Sequence, residues 1–380
     1  MFNELTLEGL RGVGRVELRF LPGFRVRTLF GANGVGKTKC LEAIYQWLML
    51  TNRVYWTGDR RHSALRAVQI LMSKAADDAG RRFQRPDEFI SHDVIASNPE
   101  FWHELPVLLL GARGRSTLVT LHAQPGASLG VFSERRERYL QGVHQLLYQG
   151  DLGSAGMSSD VQAWFVQRAQ SVNPYQKQAD NRQIEIDAVL EMLHEVDERI
   201  DSNFLEIDGA GRVFLKVDGH LRALDELSSG FASLVKLVQA IVAGYASFTN
   251  EANLRHVRGV VLIDEIESHL HARWQTRIIP TLKKLLPNTT FFIATHSPLV
   301  LAQLEEGEAY LLTREDDGVV RTQVIDSPNR RAFVDVLDSV LGVDLNALKR
   351  QAMMHGDQTL AKKKLLDLLT LQADDREGQP

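Results

Sequence analysis

The sequence is most informative first in what it has little of. Among 380 residues there is one cysteine, Cys40, so no intrachain disulfide and no cysteine metal cluster can form, and a reducing cytoplasm is the expected setting. No apolar run approaches the roughly 20 residues that cross a bilayer, and no membrane partner is expected. The opening Met1-Phe2-Asn3-Glu4 lacks the charged-then-apolar pattern of a secretion signal and begins a strand-like segment. Sustained heptads are absent, which excludes a long coiled-coil arm. Internal repeats and low-complexity tracts are absent as well. Charge of one sign is also missing: the net value is −4, with a mild basic bias over residues 1–125 and an acidic remainder. A bias of that size is compatible with nucleic-acid contact without arguing for it, because phosphate-binding sites also collect Arg and Lys.

Three strand-like runs open the chain, Leu5–Leu7, Val16–Phe20 and Arg25–Phe30. The third runs directly into Gly31-Ala32-Asn33-Gly34-Val35-Gly36-Lys37-Thr38. An apolar-periodic helix follows, with Cys40, Leu41, Ile44, Trp47 and Leu48 on one side. This is G-x-x-x-x-G-K-[ST] in full, between the strand and the helix that the motif requires. Backbone N–H groups of Gly31–Thr38 and the adjoining Lys39 would face phosphate, with the helix N-terminus behind them. Lys37 would pair with the β- and γ-phosphates, and the Thr38 hydroxyl would ligand Mg²⁺.

A second element is Val260-Val261-Leu262-Ile263-Asp264-Glu265, an apolar strand delivering two adjacent carboxylates. Asp264 suits the metal and Glu265 suits the attacking water. The third is His296, in Thr295-His296-Ser297-Pro298 after the strand Thr290–Ala294. It stands on the strand edge where ligands bind in open α/β sheets, within reach of a γ-phosphate. The fourth is Glu226-Leu227-Ser228-Ser229-Gly230 before a helix over Phe231–Ala246. Ser228 and Ser229 are N-cap residues, and Gly230 permits close backbone approach. A plain helix cap explains these three. So does a second anion-binding helix end, for which one phosphate loop per chain supplies no nucleotide of its own.

In that order, Gly31–Thr38, Leu227–Gly230, Asp264-Glu265 and His296 resemble the ATP-binding-cassette superfamily. Within it, Leu227–Phe231 and Asp264-Glu265-Ile266-Glu267-Ser268-His269-Leu270-His271 resemble the soluble AAA_21 and overcoming-lysogenization-defect branch, which includes the ATPases of Septu-type phage-defence systems. The resemblance covers about 1–50 and 205–315. It implies a head-to-tail homodimer that sandwiches two ATPs with Mg²⁺ between the phosphate loop of one subunit and Ser228, Ser229 and Gly230 of the other. Glu265 then corresponds to the catalytic base and His296 to the switch histidine. Ser229 and Phe231 stand where a transporter signature carries glycine and glutamine. The glutamine that normally meets Mg²⁺ and water is not assignable, with Gln69 and Gln84 as candidates. Many relatives carry a C-terminal Toprim nuclease domain. About 55 residues follow Ile325 here, below a typical domain, and Asp335 and Asp338 on a helix-like stretch are not a metal cluster.

The expected fold is therefore α/β: an ABC-type P-loop ATPase head, with a mixed sheet and flanking helices. Residues 1–130 and 204–330 are assigned to the core, 131–203 to an inserted helical lobe and 331–380 to a helical tail. The expected function is ATP hydrolysis in an anti-phage defence complex, controlling a separate effector such as a nuclease, with assemblies larger than the dimer open. A DNA repair or recombination ATPase of the SMC-like kind is the second reading. It draws on Arg60-Arg61-His62, Arg81-Arg82-Phe83-Gln84-Arg85 and Arg135-Arg136-Glu137-Arg138-Tyr139 as phosphate-facing clusters. Residues 51–122 read less clearly, with a helix over Ala64–Ala76 and strands at Val107–Leu110 and Ser116–Leu121.

Overall fold

The apolar runs that gave no alternation in sequence lie at the centre of one sheet. In the computed structural model β3 (Val26–Phe30), β10 (Gly259–Ile263), β11 (Thr289–Thr295) and β6 (Val107–Leu110) pair in parallel, in the order β3-β11-β10-β6. All five residues of β3 and of β10 are buried, as expected for strands covered on both faces. The described residues are 2–56, 71–77, 82–84, 101–116, 118, 129–157, 160–175, 177 and 180–329, with 71–77 and 82–84 described as backbone. Residues Met1–Arg330 form one compact unit. The tail assigned to 331–380 lies outside the described residues, with Asp335 and Asp338. So do Gln69, the cluster at Arg60, and most of the strand expected at Ser116–Leu121.

Beyond β3 the sheet becomes largely antiparallel. β12 (Ala309–Arg314) pairs in parallel with β3 and antiparallel with β13 (Val320–Val324), which lies beside β2 (Gly14–Arg19). The rest of this wing is β1 (Phe2–Leu10), β4 (Leu71–Asp77) and β5 (Arg82–Gln84), giving ten strands in the order β5-β4-β1-β2-β13-β12-β3-β11-β10-β6. β4 corrects the described part, 71–76, of the helix expected over Ala64–Ala76, whose residues 64–70 lie outside the described residues. Leu-Met-Ser-Lys-Ala-Ala-Asp carries no strong strand propensity, yet it pairs with β1 from Glu8↔Leu71 to Phe2↔Asp77. Sheet pairing overrides weak local preference here. Gln84 falls in β5, at the edge of the sheet opposite to β6.

Helix α1 (Lys37–Leu50) follows the glycine loop, and α2 (Phe132–Gln149), α3 (Val161–Gln170) and α4 (Gln183–Val196) occupy the region read as helical. A small sheet, β7 (Glu206–Ile207), β8 (Val213–Val217) and β9 (His220–Ala223), leads into α5 (Ser229–Phe248). α5 is long and apolar enough to cross a bilayer, which the run-length reading missed, but 89% of its apolar stretch is buried inside the protein. It packs on α2, α4 and β6. The short α6 (Ala272–Gln275), α7 (Ile278–Leu285) and α8 (Pro298–Leu301) complete the core.

The third basic cluster divides: Arg138 is exposed, whereas Arg135 does not face solvent. Arg135 is buried, donates to the Gly130 carbonyl and to Asn250 Oδ1, and lies 3.8 Å from Asp180. The chain spends this guanidinium on tying α2 to the end of α5.

Candidate nucleotide site

β3, β6, β10 and β11 all end at the same sheet edge, because they are parallel and in register. Their first residues beyond the strand therefore gather there: the glycine loop after Phe30, Gly111–Arg115 after Leu110, Asp264-Glu265 after Ile263, and His296 after Thr295. This convergence is what the separate motifs required.

The loop Gly31–Gly36 turns through left-handed backbone that favours glycine. Gly34 has φ +82° with open space around it, and Gly36 has φ +112°, where a Cβ would stand 2.8 Å from Val13. Gly36 is the N-cap of α1, and no side chain caps that helix. Ala32, Asn33 and Gly34 are exposed, and Val35 is half-buried. Lys37 is 8% exposed, and its Nζ donates to the carbonyls of Gly31 (2.8 Å) and Ala32 (3.0 Å). Burial lowers its pKa, while Glu267, Asp264 and Glu265 oppose that shift. Lys39 turns outward and pairs with Glu42 at 2.5 Å, a salt bridge on the first turn of α1. That side chain does not join the loop's interior, so any part it plays is through its backbone.

Thr38 Oγ1 lies 3.0 Å from both carboxylate oxygens of Asp264. Asp264 is 5% exposed, and burial raises its pKa to about 6 against the Thr38 hydrogen bond that lowers it, with Glu265 adding a further raise. A buried carboxylate held beside a hydroxyl fits a hard divalent cation, which would supply the missing charge and take its remaining oxygens from phosphate and water. No group of three or more His, Cys, Asp or Glu that could hold a metal ion by itself is found among the described residues.

Glu265 is half-buried and sits at φ +44°, a left-handed conformation that costs a non-glycine residue about 1 kcal/mol. Among the described residues its carboxylate has no hydrogen-bond partner, while its carbonyl accepts from Ser268 N (2.8 Å) and from Arg115 (2.6 Å). Arg115 is fully buried, and its other terminal nitrogen donates to the carbonyls of Asp264 (2.7 Å) and Gly111 (2.9 Å). Burial lowers its pKa to about 10, against the pull of Asp264, Glu267 and Glu265.

His296 is exposed, with Nδ1 3.0 Å from Glu267 Oε1. The same oxygen accepts the His296 backbone N–H at 2.8 Å, and Glu267 Oε2 accepts from Thr295 Oγ1 at 2.7 Å. Glu267 thus fixes both the backbone and the ring of His296. Arg115 and Glu267 were not singled out from sequence. Glu267 stands two residues after Glu265, in the turn that follows β10, and its nearness to that carboxylate pair was the signal to look. Arg115 carried none, since the Asp264 and Glu265 carbonyls that it binds are about 150 residues away.

Ser228 caps α5, its hydroxyl accepting from Phe231 N at 3.4 Å. Ser228 and Ser229 are exposed. A Cβ on Gly230 would stand 2.9 Å from the His269 carbonyl and 3.4 Å from Trp274, so glycine here is a packing requirement. These residues line a cavity of about 760 Å³ with Arg199, Arg222, His269 and Arg273. No phosphate-loop residue lines it. Arg11 is exposed in the turn after β1.

Residues 144–302 match the AAA_21 family, described as an AAA domain, putative AbiEii toxin, Type IV TA system. Septu protein PtuA of Bacillus thuringiensis is 22% identical over 353 residues, covering 90% of this chain and 85% of that protein. Septu protein PtuA of Bacillus mycoides (strain KBAB4) is 36% identical over 111 residues, 29% of this chain and 15% of that one. The retron Vc95 probable ATPase of Vibrio cholerae serotype O1 biovar El Tor is 36% identical over 144 residues, 38% and 27% of the two chains. Those last two alignments thus span well under a third of the relatives' own lengths. Among solved structures, an SMC head bound to the C-terminal winged-helix domain of ScpA matches with a TM-score of 0.46 and 12% identity, over 86% of this chain and 98% of that one. On its mixed α/β sheet the chain is thus similar, over 144–302, to the AAA_21 family, and it resembles Septu PtuA proteins and a retron probable ATPase.

Proposed function

We propose that this protein binds and hydrolyses ATP in a phage-defence complex, and that two copies close head to tail around two nucleotides to control a separate effector such as a nuclease. The observation that carries the reading is the separation of two phosphate-binding features. One is the loop Gly31–Thr38 beside Asp264, and the other is Ser228–Gly230 in a cavity without that loop. Each half-site lacks what the other offers, and a head-to-tail pair joins them.

When bound, Mg²⁺ would neutralise charge that develops on the phosphate during hydrolysis. Gly31–Gly36 present backbone N–H groups, with Lys39 adding its own, and Lys37 exchanges its hold on the Gly31 and Ala32 carbonyls for phosphate oxygens. Thr38 and Asp264 hold the cation. Glu265, whose carboxylate has no protein partner among the described residues, accepts the proton of the attacking water. His296, fixed by Glu267, contacts the γ-phosphate. From the partner subunit, Ser228, Ser229 and Gly230 approach that same phosphate with hydroxyl and backbone donors at the head of α5. The division into a core of 1–130 and 204–330, a helical insertion of 131–203 and a tail of 331–380 belongs to the same proposal, with the insertion as an effector-facing surface.

The test is the mass of Glu265→Gln by light scattering, with and without Mg·ATP. The expected result is a doubling of mass that needs ATP and is lost in Glu265→Gln/Ser228→Arg, while ATP still binds. A mass indifferent to ATP, or one that Ser228→Arg leaves doubled, overturns the head-to-tail arrangement.

A further inference from the structure

Glu265 sits in a strained turn whose carbonyls are held from outside the turn as well as from within it. Its backbone is left-handed at φ +44°, four residues before a second left-handed residue, His269 at φ +62°. Strained backbone of this kind persists only where surroundings over-determine it. The turn at 264–265 leaves β10 with two successive carbonyls, those of Asp264 and Glu265, that the strand ladder does not satisfy. One side chain binds both, and Ser268 N also donates to the Glu265 carbonyl at 2.8 Å. Arg115 spans them with its two terminal nitrogens at 2.7 and 2.6 Å, and it also holds the Gly111 carbonyl at 2.9 Å. A guanidinium suits this role because its donors are planar and rigidly spaced, so binding two carbonyls fixes their relative orientation.

Arg115 is held in turn by α5. Lys236, fully buried on that helix, donates to the Gly114 carbonyl at 2.8 Å, one residue before Arg115. On the same helix Ser233 Oγ donates to the Ser268 carbonyl at 3.2 Å, and Gly230 packs against the His269 carbonyl. Residues 230, 233 and 236 recur at a spacing of three and so share one face of α5. That face contacts the segment that follows Glu265 and the loop that carries Arg115. Burying two cations to bind carbonyls is expensive when apolar side chains could fill the space. Stability alone is a poor reason for the arrangement.

We propose that Arg115 is a positioning residue for ATP hydrolysis: it locks the peptide pair 264–265 so that the Glu265 carboxylate faces the nucleotide, with Lys236 bracing it from α5. This rests on the reading of Glu265 as the base.

The experiment compares Arg115→Met, Arg115→Lys and Lys236→Met with the wild type in full-length protein. It measures Mg·ATP affinity, kcat and KM, and hydrogen exchange of the amides of 264–268 without nucleotide. Arg115→Met is expected to bind Mg·ATP within about twofold of wild type and to lose kcat roughly 10²-fold, the scale of a misplaced catalytic group. Its 264–268 amides should exchange faster. Arg115→Lys should recover part of kcat, because an ammonium can replace one of the two carbonyl bonds. Lys236→Met, which leaves Arg115 in place, should lower kcat by about tenfold in the same direction and decides the matter should Arg115→Met fail to fold. Unchanged kcat and exchange in folded variants would overturn the proposal. So would a parallel loss of affinity and kcat with no advantage of lysine over methionine, the pattern of a merely structural residue. If wild type and Glu265→Gln turn over ATP equally, the reading of the base has failed. The exchange data then still show whether Arg115 orders 264–268.

Discussion

Asp264→Asn should make the protein without Mg²⁺ more stable at neutral pH as it removes the metal site. Asp264 is 5% exposed and its pKa is raised from 3.8 to about 6, burial being the main cause. The folded state therefore holds a proton on Asp264 between about pH 4 and 6 that the unfolded chain has released. Stability falls as pH rises through that window, and the full penalty is present above it. The gap between 3.8 and about 6 corresponds to about 3 kcal/mol at ~1.36 kcal/mol per pH unit. By the same linkage the penalty at pH 5 is about half as large, so the stability difference between variant and wild type should grow by about 1–1.5 kcal/mol from pH 5 to pH 8. Asparagine still accepts from Thr38, but its NH₂ needs a partner, a cost of ~1–2 kcal/mol that is the same at both pH values and cancels in the comparison. The assay is urea unfolding of both proteins at pH 5 and pH 8 in EDTA, repeated with Mg·ATP. With Mg·ATP the order should reverse, since only the wild type gains from binding. A pH-independent difference, or one that shrinks toward pH 8, would refute the claim that an uncompensated buried charge sits at this position.

Three further outcomes are expected. Lys37→Ala should abolish ATP binding or hydrolysis, read by fluorescent-nucleotide titration and phosphate release, because the cation that now fills the loop's own carbonyls has no substitute. Gly230→Val should destabilise by about 1–3 kcal/mol, the usual cost of overpacking, because even its Cβ would stand 2.9 Å from the His269 carbonyl; thermal unfolding checks this, and an unchanged midpoint would mean that α5 is free to shift. Glu267→Gln should keep ATP binding but slow hydrolysis by about tenfold, since His296 loses its carboxylate partner; a wild-type rate would show that the histidine orients itself.

What the sequence determined by itself are the features set by contiguous residues. The glycine loop, the apolar strand that ends in Asp264-Glu265 and the Ser228 cap each fit within about ten residues, so local sterics and hydrogen bonding write them directly into the chain. The parallel strands β6 and β10 were legible for the same reason, as unbroken apolar runs. β4 was not, because Leu71–Asp77 takes its strand conformation from β1. Tertiary structure decided which groups meet. Thr38 reaches Asp264 across 226 residues, and Arg115 reaches Glu265 across 150. Lys236 reaches Gly114 across 122. Arg135, offered by the sequence as part of a phosphate-facing cluster, becomes a buried tie to Asn250. Such pairings depend on strand order and on the common end of four parallel strands, a property of the sheet as a whole that no segment of the chain carries alone.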